Sequence, residues 1–227
     1  HDGAIAAEKS VMLAPCGGDR GVVPQAHVVD GRWTQTPDGM RNARMAYDRL
    51  LAFGHTGLVN YHAEATITIH GFNTTHPDYP DMGPGAGLIL RWNGHTAERN
   101  ERPRLQWRPV GAICWYRFGR DRADTVRDYR LQLLGGRLGH GVRSEPIAED
   151  RSGRKLTLAR PYRFVAEVDG RAGSPAQYRF GVREAGMPER WDLVGRGLAG
   201  EQENGSLLVV AHYALITVSD VVISKLS

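Results

Sequence analysis

Residues 61–70, Tyr-His-Ala-Glu-Ala-Thr-Ile-Thr-Ile-His, alternate apolar and polar without a break. A strand turns successive side chains to opposite faces, so Tyr61, Ala63, Ala65, Ile67 and Ile69 share one face and His62, Glu64, Thr66, Thr68 and His70 the other. This is the pattern of a strand with one side on a core. Shorter stretches rich in β-branched and aromatic residues predict further strands at 87–92, 112–118, 129–134, 162–168, 178–183, 206–213 and 215–224. Turn-formers lie between them: Pro80-Asp81-Met82-Gly83-Pro84-Gly85, Gly135-Gly136, Asp169-Gly170 and Glu203-Asn204-Gly205-Ser206. No long stretch after position 60 carries a 3.6-residue apolar stripe. Weaker helical patterns at 5–13 and 43–51 read equally well as strands. The expectation is an all-β, two-sheet antiparallel sandwich: one domain over residues 1–227 with an irregular N-terminal segment of about 30 residues.

Composition narrows the function classes. With 41% hydrophobic and 24% charged residues and a net charge of +4, the 227-residue chain can fill a core and lacks the charge excess of a disordered segment. Its most apolar stretch, 206–223, is broken by His212, Ser219 and Asp220, and no run reaches the ~18 apolar residues of a membrane-spanning helix. Lys9, Lys155 and Lys225 are the only lysines among 29 basic residues. A GC-rich genome accounts for that excess of arginine as readily as does a need to grip planar anions. The arginines are spread along the chain and interleaved with acids, which argues against a nucleic-acid partner. Cys16 and Cys114 allow one disulfide and make no metal site of the C-x-x-C kind. The chain opens at His1 without a basic segment and apolar run, so secretion has to be argued from fold and partner.

The order of features from residue 31 onward resembles the concanavalin A-like, or laminin G-like, jelly-roll superfamily of bacterial extracellular proteins. The residues concerned are Gly31-x-Trp33 with Asp38-Gly39, the strand at 61–69, Gly87-Leu88-Ile89-Leu90-Arg91-Trp92, Tyr162-Arg163-Phe164 and Trp191. Gly205-Ser206-Leu207-Leu208 then leads into Ser219-Asp220-Val221-Val222-Ile223. The resemblance implies two antiparallel sheets, one curved, with ligand across the concave face or at its rim. That scaffold hosts lectins, adhesion modules, hydrolases and lyases, so it leaves the activity open.

Candidate chemistry follows from the outward positions of the alternating strands. His62, Glu64, Arg91, His95, Trp115, Arg117, Arg130 and Gln132 are the residue types that bind a sugar bearing carboxylate or sulfate: guanidinium forks for the anion, an indole for the ring face. Arg91, directly after Leu88-Ile89-Leu90, must either leave the core or be paired inside it, which leaves a substrate clamp and a structural ion pair as alternatives. Laminarinase-type hydrolases of this superfamily carry Glu-x-Asp-x-x-Glu on one strand. Glu167-Val168-Asp169 begins that pattern and Ala172 breaks it, which argues against retaining hydrolysis. Thr68-Ile69-His70 is similar to the Gln-Ile-His strand of jelly-roll alginate lyases, lacking the carboxamide, and their Tyr-x-Lys-x-Gly-x-Tyr strand is missing. A lyase on this chain would use His70 or His212 with Tyr116 as base and acid and Arg91 on the uronate carboxylate. Calcium is a structural ion in this superfamily, with Asp220 its candidate ligand; no cofactor is required.

The resulting expectation is an extracellular, bacterial carbohydrate-binding protein engaging a polysaccharide, acidic in character, on its concave sheet. The alternatives are a polyuronate lyase acting by β-elimination and a protein-binding adhesion module.

Overall fold

A computed structural model describes residues 26–75, 83–93, 110–120, 127–136, 145–188 and 190–226. Among them it contains fourteen strands and no helix. The first seven are β1 (Ala26–Asp30), β2 (Trp33–Thr36), β3 (Gly39–Asn42), β4 (Arg49–Phe53), β5 (Tyr61–Phe72), β6 (Gly85–Trp92) and β7 (Ala112–Arg120). The remainder are β8 (Arg127–Gly135), β9 (Glu145–Asp150), β10 (Pro161–Asp169), β11 (Gln177–Glu184), β12 (Leu193–Arg196), β13 (Ser206–His212) and β14 (Ala214–Lys225). They form two seven-stranded antiparallel sheets, β1-β4-β13-β6-β7-β8-β9 (sheet A) and β12-β11-β10-β5-β14-β3-β2 (sheet B). This is the two-sheet jelly-roll sandwich that the alternation predicts. Among the described residues, no helix is long and apolar enough to cross a membrane.

The core lies where the apolar faces of the two sheets meet. Strand β5 delivers Tyr61, Ala63, Ala65, Ile67 and Ile69 to it, as its period of two requires, opposite Leu88 and Leu90 of β6 and Leu207 and Val209 of β13. A second apolar cluster explains why 88–90 and 207–210 read as unbroken apolar runs. Leu50, Ala52, Ile89, Ile113, Leu208 and Val210 point away from sheet B, so the middle of sheet A is buried on both faces. Trp92 belongs to this outer cluster.

Two differences from the sequence reading have physical causes. Residues 43–51 show no helix; β4 begins at Arg49, where Leu50, Leu51 and Ala52 pair with β13 as a strand apolar on both sides. Tyr213, expected inside the strand at 206–213, lies between β13 and β14 with φ +48°. This left-handed residue carries the chain from sheet A to sheet B.

The strand β6 is bulged where it meets β13: Ser206 pairs with Trp92 and Leu208 with Ile89, so Leu90 and Arg91 together face Leu207. Arg91 takes φ +57° there. Gly205, at φ +154°, lies against the bulge so closely that a Cβ would sit 2.3 Å from the Arg91 carbonyl carbon. Gly205→Ala is therefore expected to lower stability by about 1–3 kcal/mol or more in urea denaturation. A value near zero would mean that the bulge is not held as described.

Candidate functional site

The register of sheet A assembles the site in two rows across five strands. His212 pairs with Gly85, Gly85 with Arg117, and Arg117 with Arg130. One step along, Val210 pairs with Gly87, Gly87 with Trp115, Trp115 with Gln132, and Gln132 with Glu149. Residues two apart share a face, so both rows lie on the side of sheet A away from sheet B, roughly 7 Å apart.

Gly85 and Gly87 leave a trough in β6 that the Trp115 ring occupies. A Cβ on Gly85 would come within 2.8 Å of the indole, and one on Gly87 within 2.6 Å of the Trp115 Cβ. The Trp115 indole N–H donates to Gln132 Oε1 at 2.9 Å, and Gln132 Nε2 donates to Glu149 Oε1 at 2.5 Å. Arg130 stands 3.7 Å from the same carboxylate, and Arg151 2.6 Å from its other oxygen. Burial raises the Glu149 pKa, but Gln132 and the two arginines outweigh it and hold the carboxyl below its ordinary value. The row is thus a relay from an indole to an ionised carboxylate, each polar group already oriented.

At the other end of the trough, His212 Nδ1 donates to Asp48 Oδ1 at 2.7 Å. Both side chains are almost wholly enclosed. Tyr47 and Tyr213 meet the imidazole edge-on at 5.1 Å and 4.6 Å between ring centres, and Trp115 lies tilted to it at 6.1 Å. The other ring nitrogen, Nε2, is buried without a hydrogen-bond partner among the described residues. Asp48 has φ +28°, a strained value for a side chain held for its charge.

Four of the residues expected on one sugar-binding face, Trp115, Arg117, Arg130 and Gln132, do lie together, with His212 beside them. His62, Glu64 and His70 do not: they lie on the far face of sheet B. There His62 stands 2.9 Å from Glu64 and 3.6 Å from Glu167, Arg163 pairs with Glu64, and Arg179 with Glu167. His70 Nε2 is hydrogen-bonded to the Thr217 hydroxyl at 2.8 Å, and that hydroxyl accepts from Arg41 Nε. Burial and the Arg41 charge lower the His70 pKa.

Arg91 also departs from the clamp reading. Its bulge turns it between the sheets, where it is 2% exposed. Its Nε donates to Val59 O at 3.0 Å, and its Nη1 lies 3.5 Å from Glu201 Oε1. It is the buried structural pair, the other half of the alternative. Tyr116 points into the core between the sheets, and its hydroxyl accepts from Leu156 N–H. His70, His212 and Tyr116 therefore lie in three environments, and neither histidine faces Tyr116 as its acid–base partner. His95, and the Cys16 end of the proposed disulfide, lie outside the described residues; Cys114 is a buried free thiol.

Sequence reasoning missed Asp48, Tyr47 and Glu149. Asp48 and His212 meet across 164 positions with no local signal, and Glu149 lies on a short strand, Glu145–Asp150, whose sequence shows no alternation.

Asp220, the candidate calcium ligand, belongs to no cluster of acids among the described residues. It is exposed, sits at the β14 bulge with φ +47°, and accepts from the Ser219 hydroxyl at 3.0 Å. No group of three or more potential metal ligands occurs among the described residues.

No protein-family model and no curated protein matches the chain. Solved structures do. The carbohydrate-binding module CBM66 from Bacillus subtilis superposes with a TM-score of 0.55 at 15% identity, over 88% of this chain and 95% of that one. The alginate lyase Aly36B, in complex with alginate trisaccharide, gives 0.51 at 13%, over 86% and 85%. The exoplasmic/lumenal domain of VIP36, with Ca2+ and Man3GlcNAc bound, gives 0.54 at 7%, over 87% and 84%. At these identities the likeness establishes the fold: this chain has the concanavalin A-like jelly-roll fold.

Gln132→Leu removes the middle of the relay and leaves the Trp115 N–H and the Glu149 carboxylate without their partner. A loss of about 1–3 kcal/mol is expected in urea denaturation, since each abandoned buried group carries its desolvation cost. A neutral substitution would show that the row is solvated and not preorganised.

Proposed function

We propose that the chain is a carbohydrate-binding domain that holds a polysaccharide across the outer face of sheet A. The observation that carries this reading is the row Trp115–Gln132–Glu149, which sets an indole, a carboxamide and a carboxylate in fixed orientation on one sheet face. Trp115 and Gln132 are nearly enclosed, so a hydroxyl-rich chain meets the row at its half-buried end, Arg130 and Glu149, which the indole and carboxamide hold in place from behind. Three of the structures with this fold are described as a carbohydrate-binding module, an alginate lyase and a lumenal domain with mannose-type glycan bound. They support the same class of ligand and a place outside the cytosol, either secreted or lumenal.

Charge pairing supports a neutral glycan over an acidic one. Arg49, Arg91, Arg130, Arg154, Arg160, Arg163 and Arg179 each stand within ion-pair distance of an acid. A guanidinium already matched by a carboxylate offers little net attraction to a uronate, so the face favours hydroxyl recognition over anion capture. On the sheet A rows Arg130 stands 3.7 Å from Glu149, which supports a neutral or weakly charged polysaccharide beside the acidic one expected from the sequence.

A lyase draws on one observation, the enclosed Asp48–His212 pair with Nε2 unpartnered among the described residues. An acid partner on Nδ1 leaves Nε2 as the basic nitrogen, as proton abstraction requires.

Affinity electrophoresis against laminarin, xylan, glucuronan and alginate, with absorbance near 235 nm followed on the same mixtures, separates these readings. Retardation by a neutral glycan with a flat trace is expected. Arg130→Ala should weaken retardation at least about tenfold, at unchanged circular dichroism. A rise at 235 nm on a uronate polymer would establish the lyase, and no retardation by any glycan would contradict carbohydrate binding.

A further inference from the structure

The acceptor sequence for N-linked glycosylation, Asn-x-Ser/Thr with x other than proline, occurs twice, at Asn73-Thr74-Thr75 and at Asn204-Gly205-Ser206. The fold puts the two in opposite states. Asn73 follows the last residue of β5, and its backbone N–H donates to Tyr213 O at 2.8 Å, which anchors the chain at the sheet end. Beyond that anchor the tripeptide belongs to no strand: Asn73 is half-buried, and Thr74 and Thr75 are exposed. The Asn73 carboxamide oxygen accepts from Thr75 N–H at 3.1 Å and from the Thr75 hydroxyl at 3.0 Å. Its nitrogen, Nδ2, donates to no group among the described residues.

At the second tripeptide the reacting and flanking groups are all committed. Asn204 Nδ2 donates to Thr56 O at 2.8 Å, and Asn204 Oδ1 accepts from Gln202 Nε2 at 3.0 Å. Gly205 N–H donates to Leu58 O at 2.8 Å, within the close approach to Arg91 that leaves no room for a Cβ. Ser206, 3% exposed, opens β13 and gives its hydroxyl to Trp92 O at 3.1 Å. Transfer to Asn204 would require the start of β13 to come away from β6.

We propose that Asn73 is an acceptor for an N-linked glycan and that the fold withholds Asn204 from the same modification. The donor is an oligosaccharide carried on a polyprenyl pyrophosphate. Asn73 Nδ2 bonds to C1 of the donor sugar as the bond from that carbon to the phosphate oxygen breaks. The lipid pyrophosphate leaves with the electron pair, and one Nδ2 proton passes to a base of the transferase. A carboxamide nitrogen is a weak nucleophile because its lone pair is shared with the carbonyl. The two Thr75 donors stabilise the negative charge that collects on Oδ1 as the proton departs, and the unengaged Nδ2 is the atom that the reaction uses. Glycosylation requires a compartment outside the cytosol, the placement proposed above, and does not depend on what sheet A binds.

The test incubates the purified, folded chain with a single-subunit oligosaccharyl transferase and a lipid-linked oligosaccharide. Peptides 70–78 and 201–209 serve as unstructured acceptors under the same conditions, and glycopeptide mass spectrometry reads the site. The expected result is a single glycan, on Asn73, that is lost in Asn73→Gln and in Thr75→Ala. Both positions lie outside the core, so circular dichroism should show both variants folded. Peptide 201–209 is expected to take the sugar while Asn204 of the folded chain does not, which makes the fold and not the tripeptide the cause of its silence. An unmodified Asn73 in the folded chain, under conditions that modify either peptide, would overturn the acceptor site. Glycan on Asn204 of the folded chain would overturn the contrast between the two. Retardation by laminarin should be the same for Asn73→Gln as for the unmodified chain, so loss of polymer binding and loss of the acceptor site are read independently.

Discussion

A guanidinium enclosed between two sheets must be compensated, because removing it from water costs several kcal/mol before any partner is counted. Arg91 is that group, and the end of the sandwich is organised around it. Val59 and Asn60 come from the β4–β5 connection, Glu201 and Gln202 from the β12–β13 connection, and Asn60 in turn holds Gly170 after β10. Burial raises the Glu201 pKa against the opposing pull of the Ala176 N–H and of Arg91. Three loops from both sheets converge on one side chain.

The same bulge that carries Arg91 inward separates two kinds of surface on sheet A. Toward the bulge, Ile89, Ile113, Leu208 and Trp92 make the outer face apolar. At the other end of β6, Gly85 and Gly87 replace side chains with space, and the indole, carboxamide and carboxylate of the neighbouring strands align across it. Sheet B differs in kind. Its outer face is a lattice of ion pairs among His62, Glu64, Arg163, Glu167 and Arg179, with Trp191 edge-on to His62 at 6.1 Å. Both are internally paired, but the sheet A row joins an indole and a carboxamide to its carboxylate, where sheet B has charges alone.

The fold was legible in the sequence because period two states which residues face inward. That rule places Tyr61 through Ile69 in the core, and applied to Ala112, Cys114 and Tyr116 it also puts Tyr116 there, against a catalytic role at the surface. Alternation does not say to which sheet a strand belongs. His62 and Trp115 both point outward, yet on opposite sides of the molecule, because β5 and β7 lie in different sheets. Arg91 escapes the rule for a local reason: a bulge shifts the phase of every residue after it, and only the close approach of Gly205 marks its position. The Asp48–His212 pair had no signal at all, since its members are joined only by the pairing of β4 with β13.

Arginine richness, taken alone, points toward anionic ligands, and the ion pairs of both sheets redirect it toward charge balance within the protein. What then distinguishes sheet A is hydrogen-bond orientation, and that claim is most directly tested by amide and indole chemical-shift mapping with a retained neutral oligosaccharide. The account predicts the largest shifts at the Trp115 indole N–H, the Gln132 carboxamide and the amides of Gly85 and Gly87. Shifts confined to His62, Glu64, Glu167 and Trp191 would move the glycan to sheet B and contradict it.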